Sequence, residues 1–585
     1  MPLLKPFTLV FPRGCLLPLF TVAHAAAQSW KQTWARFIRQ CDTRLHFGED
    51  YGAHVFYGYV PTQVRDFNPP AYCTYFVLIT CLTAEYVARS ERSIPVGLPI
   101  LPESDNSYRA ALLRAWLDRC DKSHDCNKRQ DESETPVPTR ILFVGDPRDS
   151  GYDPSSVRLV LASEASGQKY VALSHCWGNL SHDEKKAYCT TQDNVAQRRS
   201  GFEISDLPKT FQDAVQVTRE LGILYLWIDS LCIIQYGDNG EDWKAQSGQM
   251  EIVFSAAYCV VAATSAVDSN AGFLERDVGT EYVYVQNNSG ERFYVSTDID
   301  DFDEDVGKAQ LNDRAWVMQE GVLARRTIHF SANQMYWECG EGVYCENLTR
   351  LESPLRKTYF TLDPNFPTRL LESGAERTVG FLEFLFENYS KRGLTKKTDR
   401  CIAVSGLAAR IAHSIKCEGR YGVFQKYFHR NLLWQASDQK LERIAYKERC
   451  VPSWSWMAYA GGVRFVAVPF GGVDWVDGLQ FDEDSEHALI ADLGKFRKCT
   501  TKLDGDHCAI LNLFRKKRGW IRYDVADGKK LHEERCVVVG RKSDATEYYI
   551  LVVRPTDVDG EYKRVGVGLV RNDYVVRQRV GVRIV

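Results

Sequence analysis

The sequence predicts an α/β fold, a parallel sheet with helices on both faces, followed by a helical segment and a β-rich C-terminal region. Three observations lead there. Between residues 169 and 331, short apolar runs alternate with amphipathic stretches in the order β-α-β-α-β-α-β. Such alternation builds parallel sheets through helical crossovers. Residues 377–437 keep an apolar spacing of three to four, and the last fifty residues are short β-branched and aromatic runs between turn formers.

Taken in order, "YRAALLRAWLDR" (108–119) predicts an amphipathic helix with Leu112, Leu113, Trp116 and Leu117 on one face. "RILFVGD" (140–146) and "VRLVLAS" (157–163) predict two strands of a small sheet leading into the next domain. "KYVALSHCWG" (169–178) is the first strand of the alternation. "DLPKTFQDAVQVTRELG" (206–222) is a helix opened by Pro208 and stopped by Gly222. "ILYLWIDSLCII" (223–234) reads as one continuous buried strand. "EDWKAQSGQMEIVFSAA" (241–257) is a helix and "YCVVAATSA" (258–266) a strand. "RAWVMQEGVLA" (314–324) is a short helix and "RRTIHFS" (325–331) the fourth strand. Further helices are expected over 377–393, 399–415 and 422–437, and strands over "ERCVVVGRK", "EYYILVVRP" and "EYKRVGVGLV". The resulting division is an N-terminal helical and variable region with its linker (1–139), an α/β domain (140–335), a helical region (336–450) and a β-rich region (451–585).

At 585 residues the chain exceeds one ordinary core. Its 73 basic and 76 acidic residues nearly balance. That gives no electrostatic reason to expect a nucleic-acid partner. The 18 cysteines are scattered with no C-x-x-C pair, which fits a reducing compartment better than a disulfide framework, so a cytoplasmic location is expected. Cys120, His124 and Cys126 in "CDKSHDC" bring metal-ligand types together, but no fourth ligand has suitable spacing, so neither a metal nor a cofactor is expected. Residues 1–30 imitate a secretory signal. Pro12 and Arg13 interrupt their apolar run, leaving it short for a membrane span. A weak signal and an artefactual start both remain open.

The usual phosphate-loop, dinucleotide, zinc-protease and nucleophile-elbow motifs are missing from the sequence. Parallel sheets bind ligands outside the carboxyl ends of their strands. This directs attention to Ser174, His175, Cys176 and Trp177, to Asp229 in "WIDS", and to Arg314, Trp316 and Glu320 in "RAWVMQE". Strand neighbours point to opposite faces, so His175 does not readily activate Cys176. Cys176 reads as a buried structural thiol, with Ser174 or His175 as ligand contacts. Asp229 in an apolar run either caps a turn or serves a site. Glu320 follows Trp316 by one helical turn. Either it answers the helix dipole and pairs with Arg325 or Arg326, or it is a working carboxylate beside an aromatic wall.

"YVALSHCWG", "LPKTFQDAVQVTRELGILYLWIDSLCIIQ", "DWKAQSGQMEIVFSAAYCVVAATSA" and "DRAWVMQEGVLARRTIHFS" closely resemble the ordered blocks of the fungal heterokaryon incompatibility (HET) domain. The resemblance covers about residues 170–331 and implies that the α/β domain is a HET domain. It departs at Gln246, where the family usually carries an acid, and in the spacing of "CDKSHDC". The family is associated with non-self recognition and programmed cell death in filamentous fungi. Its domain is described as distantly similar to TIR domains, which implies a TIR/flavodoxin-like sheet. Many TIR domains cleave NAD⁺ at the nicotinamide–ribose bond with a glutamate four positions after a tryptophan. The resemblance therefore implies Glu320 as catalytic carboxylate and Ser174, Trp177, Asp229 and Trp316 as pocket residues, with NAD⁺ as substrate; His175 and Arg314 join the expected substrate-binding set by their position beside these residues. It equally implies a non-enzymatic signalling module working through self-association or a protein partner.

Overall fold

A computed structural model describes residues 106–124, 126, 138–276, 302–348, 350–351, 374–437, 441–447, 450–525, 534–544 and 546–585, together with short strands within 9–81 and 282–296. The signal-like segment 1–30, apart from the strand Leu9–Pro12, and most of the linker expected over 121–139 lie outside the described residues, whereas of the second expected linker, 296–310, residues 302–310 are described. The chain forms two compact units with interleaved segments. Residues 1–239, 256–311 and 324–363 make the first, and residues 240–255, 312–323 and 364–585 the second.

The first unit contains helix α1 (Asn106–Ser123), strands β1 (Arg140–Phe143), β2 (Ser156–Leu161) and β3 (Tyr170–Ser174), and helix α2 (Lys209–Glu220). Strands β4 (Tyr225–Trp227), β5 (Cys259–Ala262), β6 (Arg326–Phe330), β7 (Met335–Cys339) and β8 (Gly342–Cys345) complete it. With two-residue strands at 350–351 and 202–203 they form one ten-stranded sheet. At its centre β4, β3, β5 and β6 lie side by side and parallel. Numbered along the chain, this order is 2-1-3-4, the doubly wound order in which the path reverses between the first and third strands. The expected α/β class is therefore present, and its four parallel strands are the four apolar runs of the sequence.

Antiparallel strands extend this centre on both sides. β1 pairs with β4 and β2 with β1, so the expected small sheet is instead one flank of the large one. On the other flank β6, β7 and β8 form a meander. The expected long strand 223–234 is also shorter than its apolar run. It ends at Trp227, and Asp229–Cys232 form a helical turn. The Asp229 carboxylate accepts the Ser230 N–H at 2.6 Å and offers the backbone a local partner in place of the ladder.

α2 begins directly after Pro208, and Gly222 takes the left-handed conformation (φ 73°) that closes it. Its inner face, with Phe211, Ala214, Val215 and Val217, enters one core with Val171, Leu173 and Leu226 of the sheet and with Ile228 just after β4. α1 joins the same core through Leu112, Leu113, Trp116 and Leu117. Arg109 of α1 clasps Glu220 of α2 at 2.6 and 3.1 Å, so the two helices are neighbours. Each fully buried Leu, Val or Phe contributes about 1.5–3 kcal/mol.

The second unit holds α3 (Glu241–Ser247), α4 (Met250–Ala256, of which Ala256 falls to the first unit) and α5 (Ala315–Leu323). The sequence read residues 241–257 as one helix, but the chain breaks at Gly248 and Gln249. α6 (Ala375–Lys391) and α7 (Ile402–Ser414) follow as expected. The third expected helix, over 422–437, is not one. It comprises strand Val423–Phe424, a 3-10 turn, the single helical turn Phe428–Asn431 and strand Trp434–Ala436.

The C-terminal sheet has ten strands. Five of them, β9 (Leu489–Phe496), β10 (Arg535–Lys542), β11 (Glu547–Pro555), β12 (Glu561–Arg571) and β13 (Val575–Ile584), pair in a closed circuit. β9 pairs with β10 and β13, β11 with β10 and β12, and β12 with β13. Alternate residues serve separate cores. Val537, Val539, Leu551 and Val553 join one, and Cys536, Val538, Ile550 and Val552 the other. Among the described residues, no helix is long and apolar enough to cross a membrane.

Candidate functional site

The path reversal of the first unit lies between β3 and β5, and the segments leaving these two strands meet there. The Ala263 N–H donates to the Ser174 carbonyl at 2.9 Å. Gly178, at φ +74°, approaches so closely that a Cβ there would lie 2.2 Å from Cβ of Asp268. Only glycine serves at that position.

Ser174 and His175 are buried at this rim, as is the Cys176 thiol. The His175 ring meets Phe211 edge-on at 5.0 Å and stacks at 6.5 Å on Trp177. The Trp177 indole N–H donates to Asp229 Oδ2 at 2.9 Å, while Oδ1 takes the Ser230 amide. Asp229 therefore both caps its turn and fixes the indole that follows β3. Four of the seven candidates, Ser174, His175, Trp177 and Asp229, thus sit along one connected rim. Burial, and after it the Asp229 carboxylate, push the neighbouring Cys189 thiol up to about 12.

The segment after β5 is held by residues the sequence reading did not single out. The Thr210 hydroxyl donates to the Asp268 carbonyl at 3.0 Å and accepts the Gly272 N–H at 3.1 Å. Asp213, 1% exposed on the inner side of α2, accepts the N–H groups of Phe273 and Leu274 at 2.8 and 3.1 Å. Its other oxygen receives Lys209 Nζ at 2.7 Å. An acid on the buried side of "LPKTFQDAV" was the available signal.

Replacing Asp213 by Ala strands two main-chain donors, which is expected to cost about 2–4 kcal/mol, because hydrogen bonds to a charged acceptor are the stronger kind. Asp213→Asn keeps one acceptor oxygen and should lose less. Urea unfolding followed by tryptophan fluorescence checks the order, and equal losses in the two variants would contradict it.

The other three candidates belong to the second unit. Arg314 pairs with Gly393 in an isolated parallel bridge, flanked by Ala315 N–H to the Gly393 carbonyl and Gly393 N–H to the Asp313 carbonyl at 2.9 and 2.7 Å. This fixes the start of α5, which packs against α6 and α7. Trp316, half-buried, donates its indole N–H to Asp399. Burial raises the Asp399 carboxyl, against the opposing pull of Lys396 and that hydrogen bond. Nearby, burial lowers the Arg392 guanidinium to about 10, partly offset by Asp313. Glu320 is 8% exposed, one turn beyond Trp316. Arg326, one of the two bases considered for it, is engaged by Asp121 at 2.7 Å. The candidates thus form two constellations, one in each unit.

Residues 170–320 match the family model described as heterokaryon incompatibility protein (HET). No curated protein and no solved structure gives a match. The matched span opens at the first parallel strand, includes the Trp177–Asp229 rim and α5, and closes on Glu320. Through these residues the chain carries a HET domain.

Proposed function

We propose that this heterokaryon incompatibility-type protein is an effector of non-self recognition and programmed cell death that cleaves NAD⁺ at the nicotinamide–ribose bond, with Glu320 as the working carboxylate. The observation carrying this reading is a nearly buried acid one turn after a half-buried tryptophan, at the end of the HET match. In the reaction the bond between ribose C1′ and the nicotinamide nitrogen breaks, and nicotinamide leaves neutral with the bonding pair. Positive charge grows on the ribose, where a carboxylate in a water-poor site stabilises it. Water then attacks C1′ and releases a proton, giving ADP-ribose.

The test is inducible expression of wild type and Glu320→Gln, following viability, cellular NAD⁺ and nicotinamide together. A carboxamide lacks the charge, so NAD⁺ loss should fall by at least about 100-fold, the usual cost of removing one transition-state stabiliser. Undiminished NAD⁺ loss in a folded Glu320→Gln chain overturns the assignment.

A second reading has its own support. The Trp316 indole is engaged by Asp399, and α5 is packed among α6 and α7, as a purely structural helix would be. The domain then signals without catalysis, by self-association or through a protein partner. In that case Glu320→Gln still kills the cells while NAD⁺ stays constant.

A further inference from the structure

The end of α1 and the turn between β7 and β8 bring four metal-ligand side chains together in the first unit. Sγ of Cys120, Cys126 and Cys339 and a ring nitrogen of His124 all lie within 4.8 Å of one another. Among the described residues no other group of His, Cys, Asp and Glu converges in this way. The sequence spacing shows only the first three, from which no metal is expected. The fold adds the fourth from a strand far along the chain.

We propose that Cys120, His124, Cys126 and Cys339 form a structural zinc site. A tetrahedral zinc with sulfur at about 2.3 Å and nitrogen at about 2.0 Å holds its ligand atoms roughly 3.5–3.8 Å apart. Cys339 Sγ is already 3.5 Å from His124 Nδ1. The remaining separations need only a small contraction to close the shell.

The local structure explains how this set arises. Cys120 lies in the last turn of α1, and the His124 N–H donates to the Cys120 carbonyl at 3.2 Å, which prolongs the helical turn past its end. Residues four apart on a helix share a face, so the imidazole returns over Cys120. Cys126 follows two positions later. Cys339 ends β7 opposite Gly342 of β8, at a turn made by Gly340 and Glu341.

The Gly340 amide donates to Cys126, and the Glu341 amide and the Trp337 indole donate to Cys339. Such donors to ligand sulfurs orient a metal's first shell. His124 stacks on Tyr344 at 6.3 Å, and the Arg119 guanidinium lies over the same tyrosine ring at 5.0 Å.

Cysteine is a common buried residue in its own right, and three thiols in a core could simply be packing. Packing alone gives no reason for an imidazole nitrogen to join them at ligand distance, or for main-chain amides to point at the sulfurs. Three soft sulfurs, one imidazole and a closed set of four suit zinc in a structural role rather than calcium or magnesium. Binding displaces the thiol protons and ties the end of α1 to the β7–β8 turn.

The test is elemental analysis of the full chain purified under reducing conditions without chelator, with cobalt(II) substitution as a second measurement. About one zinc per chain is expected, and about one cobalt with the intense visible absorption of a tetrahedral thiolate site. Cys339→Ser and His124→Ala should each lower retained zinc at least about tenfold, whereas His124→Cys preserves a four-ligand shell and should retain it. Should the variants fail to fold, the wild-type cobalt spectrum still decides. Folded wild type that holds no zinc and gives no tetrahedral cobalt spectrum overturns the proposal. So does stoichiometric zinc that persists in Cys339→Ser, or a disulfide joining two of the three cysteines in the reduced preparation.

Discussion

Arg564→Met is expected to destabilise the second unit by about 3–5 kcal/mol, the range for removing one partner of a buried ion pair. Arg564 and Asp524 are both fully buried. The guanidinium grips the carboxylate with Nε and Nη2, each at 3.1 Å, and donates to the main-chain carbonyls of Leu432 and Trp434 at 2.6 and 2.5 Å. Its plane lies 3.4 Å from the centre of the Trp434 ring. Methionine fills similar space but leaves a buried carboxylate and two buried carbonyls without their donor. The pH dependence has a definite sign. Burial already raises the Asp524 carboxyl, and Arg564 supplies the opposing pull. Without that pull the folded-state value rises further. An acid raised on folding is best tolerated at low pH, and its cost grows as pH climbs through the folded value. The stability gap between wild type and Arg564→Met should therefore narrow from pH 8 toward pH 5, and adding Asp524→Leu should restore much of the loss. Urea titrations at the two pH values check both. A gap that widens on acidification contradicts the account.

Glu346→Ala should cost the first unit about as much, again roughly 3–5 kcal/mol. Glu346 is 2% exposed and forms a two-pronged pair with Arg276 at 2.7 and 2.9 Å. Its Oε2 also accepts the Met335 N–H at 2.7 Å. Arg276 lies on the segment leaving β5, and Met335 opens β7. Alanine therefore releases that segment and leaves both a buried cation and a main-chain donor unanswered. Glu346→Gln retains an acceptor for Met335 and should fall between. Limited proteolysis is the sensitive readout, with new cleavage expected first between residues 263 and 276. Cleavage confined to other segments, at unchanged stability, would refute the linkage.

These two groups also mark what the sequence could and could not disclose. The four parallel strands were legible because each is a short apolar run with buried residues on both sides, bounded by glycine, proline or charge. Their lateral order was not, because nothing local distinguishes the 2-1-3-4 arrangement from another. The segment 422–437 imitates a helix, since Phe424, Phe428, Leu432 and Trp434 recur at intervals of four and two. All four are buried along with Val423, Asn431 and Leu433, while Gln425 and Lys426 are exposed, so the buried positions do not keep to one helical face. Gly422, at φ +77° with the Trp456 ring against it, also prevents a regular helical entry. Asp229 stood out as an acid in an apolar run, and its turn and its indole partner justify that attention. Arg564 and Cys339 carried no comparable mark, because their partners are brought to them only by tertiary closure.

The closed circuit β9–β13–β12–β11–β10 has one more consequence. Within it every strand has a partner on each side, β12 meeting β13 at Glu561–Arg583 and Tyr562–Ile584. Extracting any one member would create two raw margins at once, so damage to this ring cannot remain small. Its amide protons should be shielded together and lost together, behaving as one unit of opening. A segment built in this way can endure large rearrangements elsewhere in the chain and still serve as a fixed point.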